Sequence, residues 1–173
     1  MDMLAGQWQH ICQNYSSDDL VHAFQFIQDN ALILVEEFYK NMLVEKESAE
    51  FFSDDLIQQR LRNTLHQWLL ESFSVGINKH YLQAVQKQHT VGHVHARVGI
   101  PSWLIMRGVR EIERKIFELL EEDEQLLTLT TCSYLVQVMS FATEIMCRSY
   151  EAKTAKNQEI KHSYRLFSAM QDV

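Results

Sequence analysis

Apolar positions recur at helical spacing along almost the whole chain, and no stretch shows the confident alternation of a half-buried strand. A first short helix is predicted over about residues 3–13, broken by the capping residues of "NYSSDDL". A second, about 18–29, carries Leu20, Phe24 and Ile27 at i, i+4 and i+7. A third, about 31–43, is apolar over a wide arc: Ala31, Leu32, Leu34, Val35, Phe38, Tyr39, Met42 and Leu43. A helix that apolar is expected to be buried on more than one side. "FFSDDLIQQRL" offers Ser53 as an N-cap with two aspartates in the first turn, where the helix dipole favours them. The helix that follows sets Leu61, Leu65, Trp68 and Leu69 along one side. Another helix, about Lys79 to Val98, stops at "GIP", and Pro101 suits the first turn of the next, about 102–122. That one turns Leu104, Ile105, Val109, Ile112, Ile116 and Leu119 inward. A long last helix is expected from about 125 to the region of Ala152, before a tail that is polar and then regains Ile160, Tyr164 and Phe167.

Composition sharpens this all-helical picture. A single proline and five glycines leave few places to turn, and 173 residues suit one domain with a real core. The net charge of −7 and the lack of a basic stripe argue against a nucleic-acid binder. The opening "MDMLAGQWQH" has neither a basic leader nor a long apolar stretch, and runs such as "ALILV" are too short to span a bilayer. No membrane partner is therefore expected, and the location is expected to be cytoplasmic. Cys12, Cys132 and Cys147 form no CxxC and no CxxCH, which disfavours zinc and covalently attached heme and leaves reduced, buried thiols.

Candidate chemistry concentrates in "QHTVGHVHARVGIP", residues 88–101, with three histidines in seven positions. On a helix His95 shares its side with Val91 and Val98, whereas His89 and His93 fall with Gln86, Ala96 and Arg97 on a mostly polar face. For those two, a solvated face is favoured over a metal site. Zinc normally needs a third protein ligand, and neither HExxH nor paired Glu-x-x-His motifs are present. For His95 two readings stand side by side: a core histidine bonded to a carbonyl, or a metal ligand. Several helices around a lone inward histidine near a helix end make the arrangement that a heme pocket requires.

The same stretch resembles the proximal-helix signature of the globin-coupled sensors, heme globin domains of bacterial signalling proteins, and most of all the oxygen-sensing globin domain of diguanylate cyclases. "EEFYK" around Tyr39, "FFSDDLIQQRL…W" and "HSYRLFSAMQ" follow in the matching order. The resemblance implies an all-α globin fold with an extra N-terminal helix and a C-terminal helical extension. It implies a sensor domain over 1–154, with 155–173 beginning a linker to an output domain. It also implies non-covalent heme b with His95 as the proximal iron ligand, and Tyr39 as the hydrogen-bond donor to bound oxygen. Leu61 and Leu65 would line the distal side, with Thr64 on the same helical face. Phe38, Trp68, Val91 and Val98 complete the expected cofactor contacts. Read as a residue alone, Tyr39 is equally a buried ring with its hydroxyl tied to a carbonyl. His66 lies one position off the distal stripe, so ligation by two histidines is not favoured.

Oxygen is the implied ligand, with carbon monoxide and nitric oxide at the same site. The implied output is a GGDEF diguanylate cyclase making cyclic di-GMP from GTP. The chain itself holds no GGDEF-like segment and no phosphate-cradling glycine loop, so as given it is not a cyclase. A homodimer is expected through the helix after Pro101 and the long last helix, using Trp103, Met106, Val138, Phe141, Ile145 and Met146. A heme-free globin-fold interaction module and a stand-alone oxygen-binding globin are the competing readings.

Overall fold

The computed structural model describes residues 1–44, 46–52, 55–122 and 128–171, with side chains for all of these except those within 52–58 and 161–171. The helices are α1 (Asp2–Gln13), α2 (Ser17–Val44), α3 (Lys46–Ala49), α4 (Asp55–Asn78), α5 (Tyr81–Val98), α6 (Ser102–Glu121) and α7 (Leu129–Gln171). A 3-10 turn over Glu50–Phe52 follows α3, and the described residues contain no strand. None of the described helices is long and apolar enough to cross a membrane.

The start of α2 is fixed locally. The Ser16 N–H donates to Asp19 Oδ2 at 3.0 Å while the Asp19 N–H donates back to Ser16 Oγ at 3.2 Å, a reciprocal cap. Two helices predicted over 18–29 and 31–43 are in fact this one. The polar pair between them does not break it, because neither residue is a glycine or proline and both side chains are satisfied along the helix. Asn30 Nδ2 donates to the Phe26 carbonyl at 2.9 Å, and Asp29 accepts from Gln25 at 2.8 Å. The wide apolar arc is also narrower than expected, since Leu32 is 70% exposed. The proposed Ser53 cap lies outside the described residues.

A two-residue corner, Lys79–His80, joins α4 to α5. Lys79 adopts a left-handed φ of 60°, and the Asn78 side chain accepts the His80 N–H at 3.0 Å. Gly99 closes α5 with φ 82°, a conformation glycine adopts without penalty. It and Ile100 both donate their N–H to the His95 carbonyl at 3.0 Å. The predicted stop at "GIP" is the observed one.

Helix α5 packs mainly on α7, and α4 mainly on α2. Gly92 makes the first contact possible, because a Cβ there would run into the backbone carbonyl of Met146. Phe38 of α2 reaches α6 over Gly108, where an added Cβ would meet its ring at 2.8 Å. The extra helix α1 is held by fully buried Trp8, whose ring meets Phe141 edge-on at 5.5 Å. Val138, Phe141, Ile145 and Met146 are thus buried in the protomer's own core and are not the free dimer surface that the sequence suggested. Cys12 is buried, and burial pushes its thiol pKa up to about 11, whereas Cys132 and Cys147 are only partly covered. Finally, α7 does not end near Ala152 but runs on to Gln171.

Candidate functional site

His95 sits one turn before the Gly99 cap, on the half-buried side of α5. Its Nδ1 lies 2.8 Å from the Val91 carbonyl oxygen. A carbonyl only accepts, so Nδ1 carries the hydrogen, and the neutral ring keeps its lone pair on Nε2. Burial lowers the pKa of His95 below the ordinary histidine value, partly opposed by the bond to Val91. A neutral imidazole, oriented through one nitrogen and basic at the other, is what a metal takes from histidine. The carbonyl bond and ligation, posed as alternatives by the sequence, are compatible here because they use different nitrogens.

His89 and His93 are partly exposed, with their rings 4.6 Å apart and tilted by 48°. The Ser149 hydroxyl of α7 donates to the His89 carbonyl at 2.7 Å. Loss of hydration, then the neighbouring His89, Lys153 and Lys156, hold the His93 pKa below its ordinary value. Val98, predicted inward with His95, is 55% exposed at the helix end, while Val91 is partly buried. Position on the last turn, next to the Gly99 corner, leaves little of α5 beyond Val98 to cover it.

On α2, Tyr39 is only 3% exposed and meets the Phe38 ring edge-on at 5.0 Å. The Arg62 guanidinium of α4 lies 4.8 Å from the centre of its ring. Burial raises the phenol pKa, with Arg62 opposing, so Tyr39 keeps its proton and remains a donor. Arg62 also pairs with Glu36 at 2.5 Å, joining α4 to α2 above this ring. Leu61 and Leu65 are half-buried on the same helix, and Trp68 is buried. Thr64 stands exposed, its hydroxyl donated to the Arg60 carbonyl at 2.9 Å.

Two polar features escaped the sequence. Arg62 adjoins the Leu61 stripe, but nothing in its spacing announces a tyrosine underneath. Gln88 opens the histidine-rich stretch and is 1% exposed. Its Oε1 accepts the Trp68 indole N–H at 2.6 Å, and its Nε2 donates to Ser72 Oγ at 3.1 Å.

A fold of this kind is known. Over 168 residues the chain is 21% identical to the diguanylate cyclase DosC of Escherichia coli strain K12, which aligns 96% of this chain with 36% of that protein. DosC of Shigella flexneri serotype 5b (strain 8401) is 23% identical over 138 residues, 79% of this chain and again 36% of the relative. The chain thus spans little more than a third of the length of these relatives. The solved globin domain of E. coli DosC in its ferrous form superposes with a TM-score of 0.78 at 21% identity, covering 84% of this chain and 99% of that one. The globin domain of a Geobacter sulfurreducens globin-coupled sensor gives 0.69 at 20% identity, over 87% and 97%. The expected globin fold is therefore present, with α1 as the extra helix ahead of it and the end of α7 as its extension. The Protoglobin family model matches residues 16–156, from the cap of α2 well into α7, and the chain belongs to that family.

Proposed function

We propose that this chain is the sensory domain of a cytoplasmic gas sensor that binds heme b without covalent attachment and responds to oxygen. Carbon monoxide and nitric oxide would bind at the same place. The observation that carries the reading is His95: a neutral imidazole on a packed helix, held by Nδ1 and with Nε2 available. Heme, when bound, supplies an iron that coordinates a diatomic gas on the side away from its histidine. Phe38, Leu61, Leu65, Val91 and Val98 would offer it apolar contacts, and Trp68 would offer ring carbons, because its N–H is donated to Gln88. Tyr39, protonated at any physiological pH, is the donor for oxygen. Thr64 gives its own hydrogen to Arg60, so it retains only acceptor capacity for a secondary, water-mediated role.

The sensor spans 1–154, and 155–173 leads to an output domain, a diguanylate cyclase that makes cyclic di-GMP from GTP. Gas binding would bias two arrangements of a homodimer formed through α6 and α7. Trp103 and Met106 support that pairing surface. They are 48% and 52% exposed on a groove of about 790 Å³ shared with Arg107, Arg110, Glu113 and Cys147. The test is spectroscopic: the purified protein should carry a Soret band that moves on reduction and again on exposure to oxygen or carbon monoxide. A colourless, fully helical protein that refuses heme would sink this reading and leave the interaction module.

A further inference from the structure

The gas-side stripe of α4 and the histidine stripe of α5 are joined at one buried point. On α4, Leu61, Leu65, Trp68 and Ser72 recur every three or four residues along one side, and on α5 Gln88, Val91 and His95 do the same. The helices meet at the Lys79–His80 corner, and the Ser72–Gln88 contact lies about two turns from it on either arm. Gln88 is the only one of the three bridging side chains that comes from α5. It uses its carbonyl oxygen on Trp68 and its amide hydrogens on Ser72.

Between Gln88 and His95 stands Gly92, pressed so closely on Met146 of α7 that no Cβ fits. The Ser149 hydroxyl holds α5 to α7 as well, at the His89 carbonyl. With α5 seated on α7 along this stretch, the Gln88 bridge sets how far α4 stands from it.

We propose that Gln88 is a positioning residue, one that sets the separation of the Leu61–Leu65 wall from the His95 ring through the spacing of α4 and α5. The proposal rests on the heme reading above. Leucine would fill the same space but could bond neither the Trp68 indole nor the Ser72 hydroxyl. The amide fixes a polar distance to two groups on the opposite arm, each of which is left unsatisfied if the amide is lost.

The experiment compares wild type, Gln88→Leu, Gln88→Glu and Ser72→Ala, each reconstituted with heme. Gln88→Leu should keep its helical circular dichroism and its heme. It should shift the iron–histidine stretching frequency and change oxygen and carbon monoxide dissociation together by roughly threefold or more. Gln88→Glu, which in its protonated form both accepts from Trp68 and donates to Ser72, should return both readouts close to wild type. A Gln88→Leu protein with unchanged frequency and unchanged gas rates, altered only in melting temperature, overturns the proposal. If Gln88→Leu does not fold, Ser72→Ala decides, with a smaller shift in the same direction in support and none against. Should wild type take up no heme, the heme reading falls by itself. The clamp is then judged on hydrogen exchange of the Trp68 indole N–H: slow in wild type and fast in a variant supports it, equal exchange in both, fast or slow, overturns it.

Discussion

His95 and the His89–His93 pair occupy one helix within seven residues, yet their surroundings differ. His95 has one nitrogen tied to its own helix and no ring partner of like charge, and its pKa falls chiefly because it is buried. The His93 ring faces that of His89, and its pKa is lowered by loss of hydration first and then by His89, Lys153 and Lys156. Residue type and local sequence are nearly the same in both places. The helix to which each ring turns makes the difference, which is why side-chain facing matters more than the density of histidines.

The hardest test of that contrast is His95→Ala, which should yield protein almost free of heme by the ratio of Soret to protein absorbance. His89→Ala and His93→Ala should leave that ratio nearly intact, and loss of heme from either would erase the distinction. Next in size is Gly92→Ala, which drives a methyl group onto the Met146 carbonyl and should lower the unfolding free energy by about 2 kcal/mol in a urea titration. An unchanged midpoint would mean that α7 does not hold α5 at that turn. Tyr39→Phe tests the proposed donor to oxygen. Oxygen should leave about ten times faster, a loss of ~1.4 kcal/mol, with carbon monoxide much less affected. Equal acceleration of both gases would indicate a loosened pocket in place of a lost donor.

The smallest effect is on pH. A folded-state pKa below the ordinary value of 6.5 means that folded His95 binds fewer protons than unfolded His95. The stability it contributes is present above about pH 6.5 and declines as pH falls below that value toward the folded pKa. Urea midpoints of the heme-free protein at about pH 7.5 and about pH 5.5 should therefore differ, and less so in His95→Ala. A larger pH dependence carried by His93→Ala would reverse the assignment of which ring is the buried one.

Much of this was legible in the sequence. The Gly99–Pro101 punctuation marked the end of α5, and helical phase alone set His95 apart from its neighbours. Phase failed where the answer depended on another element. Leu32 and Val98 are apolar and correctly spaced, yet no described helix covers them. Asp29 and Asn30 look like a break only until their side chains find partners within α2. Val138, Phe141, Ile145 and Met146 read as a dimer surface because the sequence does not reveal that α1 and α5 already cover that side of α7. Gln88 was invisible for a related reason: a glutamine gains meaning only when a tryptophan and a serine from another helix converge on it.

The unbroken run of α7 fixes more than length. Successive residues of an α-helix differ in azimuth by 100°, so the angular phase at Gln171 is set by counting along the helix from Ser149, its contact with α5. Two residues inserted near Asn157 would turn everything beyond by about 200°, while seven would return it to within about 20°. The azimuth of the helix at Gln171 is therefore a matter of residue count along α7.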